Sequence, residues 1–554
     1  SVADNWYFGF NAGIQFQNNI PSAIFDGQTQ GGEAHAAWSS AEGDLLFYTT
    51  NGNFSQGKVL DRNHDVMPNG NSIKLNASMT QGSLICPHPN PDSSNLYYLF
   101  TISSFQALHF KLYYSVIDMS LNSGLGDVIS SRKNIYLLDS VSERQTLVTR
   151  CDGDGFWLIV KTHIGNHMVS IPITSLGLDT NSMVFSSSSI PEIPSQGVIK
   201  ASPSGKLLTC ALFDNHIVEM FEFDNSTGIA SNPIIITIPP IEGAVNGKPY
   251  CIEYSPDSKY LYVNGYDLGL GFIYQFDLSI LDTAIINSSA DTIAIHASIR
   301  YGLQMGPDQK IYSSGLDSIH AINNPYLKGS LSNFELNAIN INPSVGNRFP
   351  QFPYKYLIQP IQKDTICLAD TLELFFDDSC YISLLWNFDD PSSGNNTSTQ
   401  NLGEHVFSDT GTYDVSLAVV YSADTHYYSN EIVVRSSVPS EPLSDTLINC
   451  NNQAIALYFS NPQFSFLWST GSDSSGVLLL NDQTLSVTIS GFCGSVSDSA
   501  MVIIDTLPTL ELSTGSILCD GDSTSLNALL NTASVFKNWS NGDTFGFEKS
   551  INRI

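Results

Sequence analysis

The stretch Tyr254 to Asn264 reads Y-S-P-D-S-K-Y-L-Y-V-N, and its reading decides the fold. Ser255-Pro256-Asp257-Ser258 combine a fixed proline φ with side chains that hydrogen-bond nearby backbone, so they make a tight turn. Lys259-Tyr260-Leu261-Tyr262-Val263 then continue as an aromatic and β-branched strand. The same unit recurs as A-S-P-S-G-K-L-L-T-C (Ala201 to Cys210), M-G-P-D-Q-K-I-Y-S (Met305 to Ser313) and P-N-P-D-S-S-N-L-Y-Y-L-F (Pro89 to Phe100). Two further copies, S-S-A-E-G-D-L-L-F-Y-T (Ser39 to Thr49) and C-D-G-D-G-F-W-L-I-V (Cys151 to Val160), keep a glycine-bearing turn and the strand but lack the proline.

With Ala41, Pro91, Asp152, Pro203, Pro256 and Pro307 as markers, the steps are 50, 61, 51, 53 and 51 residues. A period of about fifty with about four short strands in each is the signature of propeller blades. Six copies are visible, and a seventh is read from the chain ends. Trp6-Tyr7-Phe8-Gly9 and Ala12-Gly13-Ile14-Gln15-Phe16 are the second and third strands of a blade whose first strand is expected from Arg348-Phe349-Pro350-Gln351-Phe352. Pairing the two termini in one blade removes an exposed sheet edge. The expected fold is all-β: a seven-bladed β-propeller over residues 1–356, six blades being the alternative, followed by tandem small β-sandwich domains.

At 554 residues the chain is too long for one core. Only 14% of residues are charged and aromatics reach 11%, which suits short strands and polar turns. Lys plus Arg number 23 against 53 Asp plus Glu, a formal charge of −30. Such a chain is repelled by nucleic acid and by anionic lipid, which excludes both as partners. No apolar run reaches the length of a membrane span, so no transmembrane segment is expected. Ser1-Val2-Ala3-Asp4 has neither a basic nor an apolar segment, so the numbering is expected to start at a processed N-terminus. Nine cysteines without C-x-x-C spacing argue against a zinc or thioredoxin-like site.

Leu357 to Asp364 reads as a linker. Residues 364–438 then hold W-N-F-D-D-P (Trp386 to Pro391) and E-H-V-F-S-D-T-G-T-Y-D-V-S-L-A-V (Glu404 to Val419). A Trp in an apolar strand and a later Tyr on an alternating one suit a two-sheet sandwich. This segment resembles a polycystic-kidney-disease-type (PKD) domain, whose hallmark is W-D-F-G-D-G followed by H-x-Y or H-x-F and G-x-Y-x-V-x-L-x-V; Asp390-Pro391 replaces the final Asp-Gly. Residues 441–506 repeat the plan in immunoglobulin-like form with F-L-W-S-T-G-S (Phe466 to Ser472) and L-S-V-T-I-S-G-F-C (Leu485 to Cys493). Residues 507–554 start a third copy that stops before its final strands, so the chain is read as a fragment.

W-Y-F-G-F-N-A-G-I-Q-F (Trp6 to Phe16), L-L-F-Y-T-T-N-G (Leu45 to Gly52), L-Y-Y-S-V-I-D-M (Leu112 to Met119) and F-E-F-D-N-S-T-G (Phe221 to Gly228) resemble a group of large surface proteins of Bacteroidetes. In these a propeller precedes PKD-like and immunoglobulin-like repeats, and a gliding-motility-associated domain is recognised by the type IX secretion system. The resemblance implies export through that translocon, display at the outer-membrane surface, and adhesion to a polysaccharide or protein ligand through the propeller. A structural part in an extracellular or gliding-related assembly is the alternative. A lactonase-like propeller hydrolase is a lower one, prompted by the Tyr262-Val263-Asn264 strand, and the expectation is that the chain is not an enzyme. No sialidase box, G-x-S-x-G elbow or His-rich metal set is present.

No cofactor is expected. Asp152-Gly153-Asp154-Gly155, Asp389-Asp390 and Asp520-Gly521-Asp522 have calcium-loop character but lack further acidic ligands, so blade or module turns are the expected role. His163 and His167 have a helical metal spacing in a segment between strands. Glu33 and His35 alternate toward the central channel, as ligand-pocket residues or as a satisfied structural pair. Thr365, Thr371, Thr446, Ser499 and Thr506 follow Asp and precede an aliphatic residue. This pattern resembles the Bacteroidetes O-glycosylation acceptor, and it is also an ordinary way to begin a strand. Cys367–Cys380 and Cys450–Cys493 are the expected disulfides, each inside one sandwich, with Cys519 awaiting a partner. Cys86, Cys151, Cys210 and Cys251 lie on or beside propeller strands, as buried thiols or bridges.

Overall fold

The computed structural model describes residues 1–51, 56–106, 109–153, 155–191, 196–241, 247–341, 346, 348–358, 360–361, 365–376, 380–422, 425–450 and 453–505, and the backbone of the strands at 510–512, 523–530 and 548–552. The repeat turn is built as its chemistry requires. Ser255 Oγ donates to Asp257 Oδ1 (2.6 Å) and accepts from Tyr260 N (2.8 Å). The backbone closes from Ser258 N to Ser255 O at 2.9 Å, with Ser258 left-handed at φ 61°. Gly43, Gly153, Gly205 and Gln309 hold the corresponding positive φ in four other copies.

Each turn joins the first two strands of an antiparallel sheet. Three sheets have four strands, running Ile199–Ala201 to Ile229–Thr237, Pro249–Tyr254 to Asp291–His296, and Leu303–Met305 to Phe334–Asn340. Two have three, from Asn5–Phe8 to Ile20–Ile24 and from Ala37–Ser39 to Gly57–Asp61. Between them lies a nine-stranded sheet, because the long strand Ile135–Thr149 pairs with His109–Asp118 through its first half and with Phe156–Thr162 through its second. Counted by hydrogen bonding the sheets number six; cut at Ile135–Thr149 they number seven. The architecture is that of an all-β propeller, and its innermost strands are almost wholly buried.

Among the described residues the ring is closed by packing rather than by a ladder. Trp6 meets Phe349 at 5.4 Å, Phe352 at 6.1 Å, and Tyr312 of the last sheet at 5.9 Å. Arg348 to Phe352 takes no strand assignment, which corrects the expected terminal pairing. Pro350, and Pro353 just after it, lack the N–H that a ladder would need.

Beyond the propeller stand two two-sheet units. In the first, a five-stranded sheet (Thr365–Cys367, Thr425–Arg435, Gly411–Val420, Ser383–Asn387, Thr397–Ser398) faces the pair Leu372–Phe375 and Leu402–His405 across Trp386, Leu384, Val415 and Leu417. In the second, Thr446–Asn449, Gly494–Ile504, Gln483–Gly491 and Ser465–Trp468 face Ile455–Tyr458 and Gly476–Leu479 around Trp468 and Val487. The third copy lies largely outside the described residues.

The disulfides correct the sequence reading. Cys151 of the propeller bonds Cys380 of the first unit, and Cys367 of the first unit bonds Cys493 of the second. Cys450 is exposed and bonds no described cysteine. The reason is position. Cys367 ends the edge strand opposite Arg435, where the chain leaves for the second unit, and Cys493 sits in the hairpin that meets that exit, its Sγ 3.7 Å from Arg435 O. Cys380 instead faces the propeller turns, where Ser422 Oγ donates to Asp152 O at 2.7 Å. A cleft of about 530 Å³ lies between these turns and the first unit, lined by Pro203, Pro256, Arg150, Phe375, Phe376 and Tyr428 among others. Cys86, Cys210 and Cys251 are buried in the propeller, outside both bridges.

Candidate ligand-binding face

The Ser-Pro turns that meet the first unit lie at one end of the propeller strands. Tyr250 is the second residue of the strand Pro249–Tyr254, which ends in the Ser255 turn, and Tyr266 lies near the far end of the returning strand Tyr260–Asp267. Phe213 follows the second strand of the preceding sheet, and Tyr301 precedes the first strand of the next. These four rings therefore gather at the end opposite the first two-sheet unit.

They form an arc with a cation at each end. Lys248 Nζ lies 5.3 Å over the Phe213 ring, and Phe213 meets Tyr250 edge-on at 5.8 Å. Tyr250 tilts on Tyr301 at 4.3 Å, Tyr301 meets Tyr266 edge-on at 5.6 Å, and the Arg300 guanidinium lies 5.3 Å over Tyr266. Tyr250 is buried, whereas Phe213, Tyr266 and Tyr301 keep part of their surface in solvent. Edge-to-face rings under cations hold one another by quadrupole electrostatics, so the arc is preorganised.

Charged groups support it from below. The Tyr250 hydroxyl donates to Glu33 Oε1, and Arg348 lies 5.3 Å over the Tyr250 ring. Burial, then the Glu33 charge, raises the Tyr250 pKa well above the usual phenol range. Arg348 also donates to Thr80 O (3.0 Å) and Cys251 Sγ (3.0 Å), while Thr80 gives its N–H and hydroxyl to Glu143 Oε2 at 2.9 and 2.6 Å. Burial raises the Glu143 pKa. Nearer the axis, Lys200 bonds Glu253, which also accepts from the Tyr354 hydroxyl and from Met305 N. Buried charges persist only when paired and hydrogen-bonded in this way.

Of Glu33 and His35, Glu33 contacts the site. Glu33 is a support of the arc. His35 meets Gly31 O through Nε2 at 3.0 Å, its Nδ1 has no hydrogen-bond partner, and burial lowers its pKa. His163 and His167 do not converge: His163 meets Val141 O at 3.0 Å, and His167 packs on Phe185 at 5.9 Å. Asp152 is paired with Arg150 at 2.5 Å, and Asp390 accepts from His405 (3.1 Å) and Ser408 (2.6 and 2.8 Å). Asp154 and Asp520-Gly521-Asp522 lie outside the described residues. Thr371, Thr446 and Ser499 are exposed, Thr365 is half-buried, and Thr506 lies outside the described residues. The sequence reading missed Phe213, Tyr250, Tyr266 and Tyr301. The available signal was an aromatic beside a cation where a blade's first strand begins, as in Arg300-Tyr301 and Lys248-Pro249-Tyr250.

His320 lies under the Arg300 loop. Its Nδ1 accepts from Asn337 N (3.0 Å) and its Nε2 meets Ser298 Oγ at 3.2 Å. Burial lowers its pKa from 6.5 to about 4, and a proton on Nδ1 would confront the Asn337 N–H. The folded pKa lies below the unfolded one, so this contribution to stability is whole above pH ~6.5 and is lost as pH falls toward ~4. Denaturant titrations are expected to show a loss on the order of 2 kcal/mol over that window, which His320→Gln flattens.

No family model and no curated protein matches the chain. Among solved structures, the periplasmic gluconolactonase PpgL of Pseudomonas aeruginosa is 10% identical with a TM-score of 0.41, over 63% of this chain and 99% of that one. A Bacteroides fragilis protein named for 6-phosphogluconolactonase gives 11% identity, a TM-score of 0.40, and 63% and 98% coverage. The Dos1 propeller gives 9%, 0.35, 68% and 90%. Likeness at this level speaks to the propeller fold alone. Since proteins named for lactonases stand among these neighbours, the expectation that the chain is not an enzyme is withdrawn, and no activity is read from their names.

Proposed function

We propose that the chain is the binding head and stalk of a secreted surface protein, and that the head takes a saccharide on the aromatic arc. One observation carries this reading: the partly exposed rings of Phe213, Tyr266 and Tyr301 lie on the propeller face that the stalk leaves uncovered. Flat amphipathic rings held by their neighbours offer contact area to a ligand at little entropic cost. Two inter-unit disulfides make the stalk a stiff support and suit an oxidising compartment. Among the described residues no helix is long and apolar enough to cross a membrane. Export by the type IX translocon, surface display, PKD-like character of the first unit and glycans on Thr371, Thr446 or Ser499 belong to this proposal, and they rest on the sequence resemblance.

A glycan array on the full chain tests it. Tyr301→Ala is expected to weaken the bound saccharide roughly tenfold or more while leaving the melting temperature close to wild type. Unchanged binding in that variant would remove the arc from the ligand.

A second reading, hydrolysis at the same face, has one observation in its favour. Glu33, Tyr250 and Arg348 bring an acid, a phenol and a guanidinium together beneath the arc. Turnover of a six-membered lactone that Glu33→Gln abolishes would select this reading over binding alone.

A further inference from the structure

Each end of the arc holds a basic side chain. Among the described residues neither Lys248 nor Arg300 forms an ion pair, in a chain with 53 acidic and only 23 basic residues. Among the described residues Lys248 makes no hydrogen bond through Nζ, and its described contact is the Phe213 ring. Arg300 spends Nη1 on the carbonyls of Ala297 (2.7 Å) and Ile299 (2.9 Å), which fixes the fork and leaves Nε and Nη2 unbonded among the described residues. The hydroxyls of Tyr266 and Tyr301, set between these cations, likewise make no described hydrogen bond, although the buried Tyr250 and Tyr262 hydroxyls both do. Each cation is held over a ring of the arc with N–H donors to spare, so the two ends of one partly exposed aromatic arc are placed to take an external anion.

We infer that the ligand of this face is an anionic saccharide, whose carboxylate or sulfate groups are bound by Lys248 and Arg300 while its sugar rings lie on Phe213, Tyr301 and Tyr266. The inference rests on the saccharide reading above and names its chemical class. Arg300 presents a planar, preoriented donor edge suited to carboxylate or sulfate, and Lys248 acts as a point charge. The overall charge of −30 does not prevent this. At 0.15 M salt the screening length is about 8 Å, so the two neighbouring cations outweigh distant carboxylates.

The test uses the full chain at 0.15 M salt with three polymers: polygalacturonate, dextran sulfate and neutral dextran. At least one anionic polymer is expected to bind more tightly than dextran. Lys248→Gln and Arg300→Gln are each expected to weaken that binding about tenfold without lowering the melting temperature, and to weaken dextran much less than the anionic polymer. A preference for polygalacturonate assigns a carboxylate, and one for dextran sulfate a sulfate. If dextran binds as tightly as the anionic polymers, and only Tyr301→Ala weakens all three, the charge inference is overturned while the saccharide reading stands. If no polymer binds and a glycan array is blank, both fall.

Discussion

Peptide mapping of the unreduced full chain is expected to recover Cys151 joined to Cys380 and Cys367 joined to Cys493, and no peptide linking Cys450 to Cys493. The bridges span 229 and 126 residues of sequence. Closing loops of that size restricts the unfolded chain by about 5 kcal/mol each in the chain-entropy picture. The folded state feels them differently, because each crosses a boundary between two independently cored units. Replacing Cys151 and Cys380 by Ser should therefore leave both cores intact. What is lost is the docking of the first unit on the Ser-Pro turns, which depends on a high local concentration of partners such as Ser422 and Asp152. Calorimetry should show the propeller and first-unit transitions separating, and small-angle scattering should show the stalk swinging. Recovery of a Cys367–Cys380 peptide would sink the assignment.

Trp6→Ala is expected to be the most damaging single change in the propeller. Trp6 is fully buried, donates through its indole N–H to Ala3 O at 2.8 Å, and touches Phe16 of its own sheet, Tyr312 of the last sheet, and Phe349 and Phe352 of the returning segment. Truncating a buried Trp costs roughly 3–5 kcal/mol. Here the cavity also opens the seam that joins the first sheet to the last, a seam held among the described residues by side-chain packing. Denaturant unfolding should report the loss, and limited proteolysis should begin within residues 348–358. Trp386→Ala, in the first unit, should destabilise that unit and leave the propeller transition in place. Equal effects of the two variants on the propeller would remove Trp6 from ring closure.

The repeat was legible in the sequence because its cause is local. Ser255-Pro256-Asp257-Ser258 makes its turn from φ restriction and hydrogen bonds within a few residues, and every copy repeats that chemistry, so period and strand order could be read directly. Trp386 and Trp468 marked sandwich cores for a similar reason, since an aromatic on an alternating strand has one buried side to occupy. The cysteine partners were not legible. Cys367 lies 13 residues from Cys380 in sequence, but the two sit at opposite junctions of the same unit, and only the docking of neighbouring units decides which thiol each meets. The arc was hidden by the same physics. Phe213, Tyr250, Tyr266 and Tyr301 belong to three different sheets, and each alone reads as an ordinary propeller aromatic. Closing the ring brings the ends of their strands together, and the stalk, by taking the turn side, leaves that end open. Local chemistry specified the turns and strands of this protein, and long-range packing specified its covalent frame and its candidate binding face.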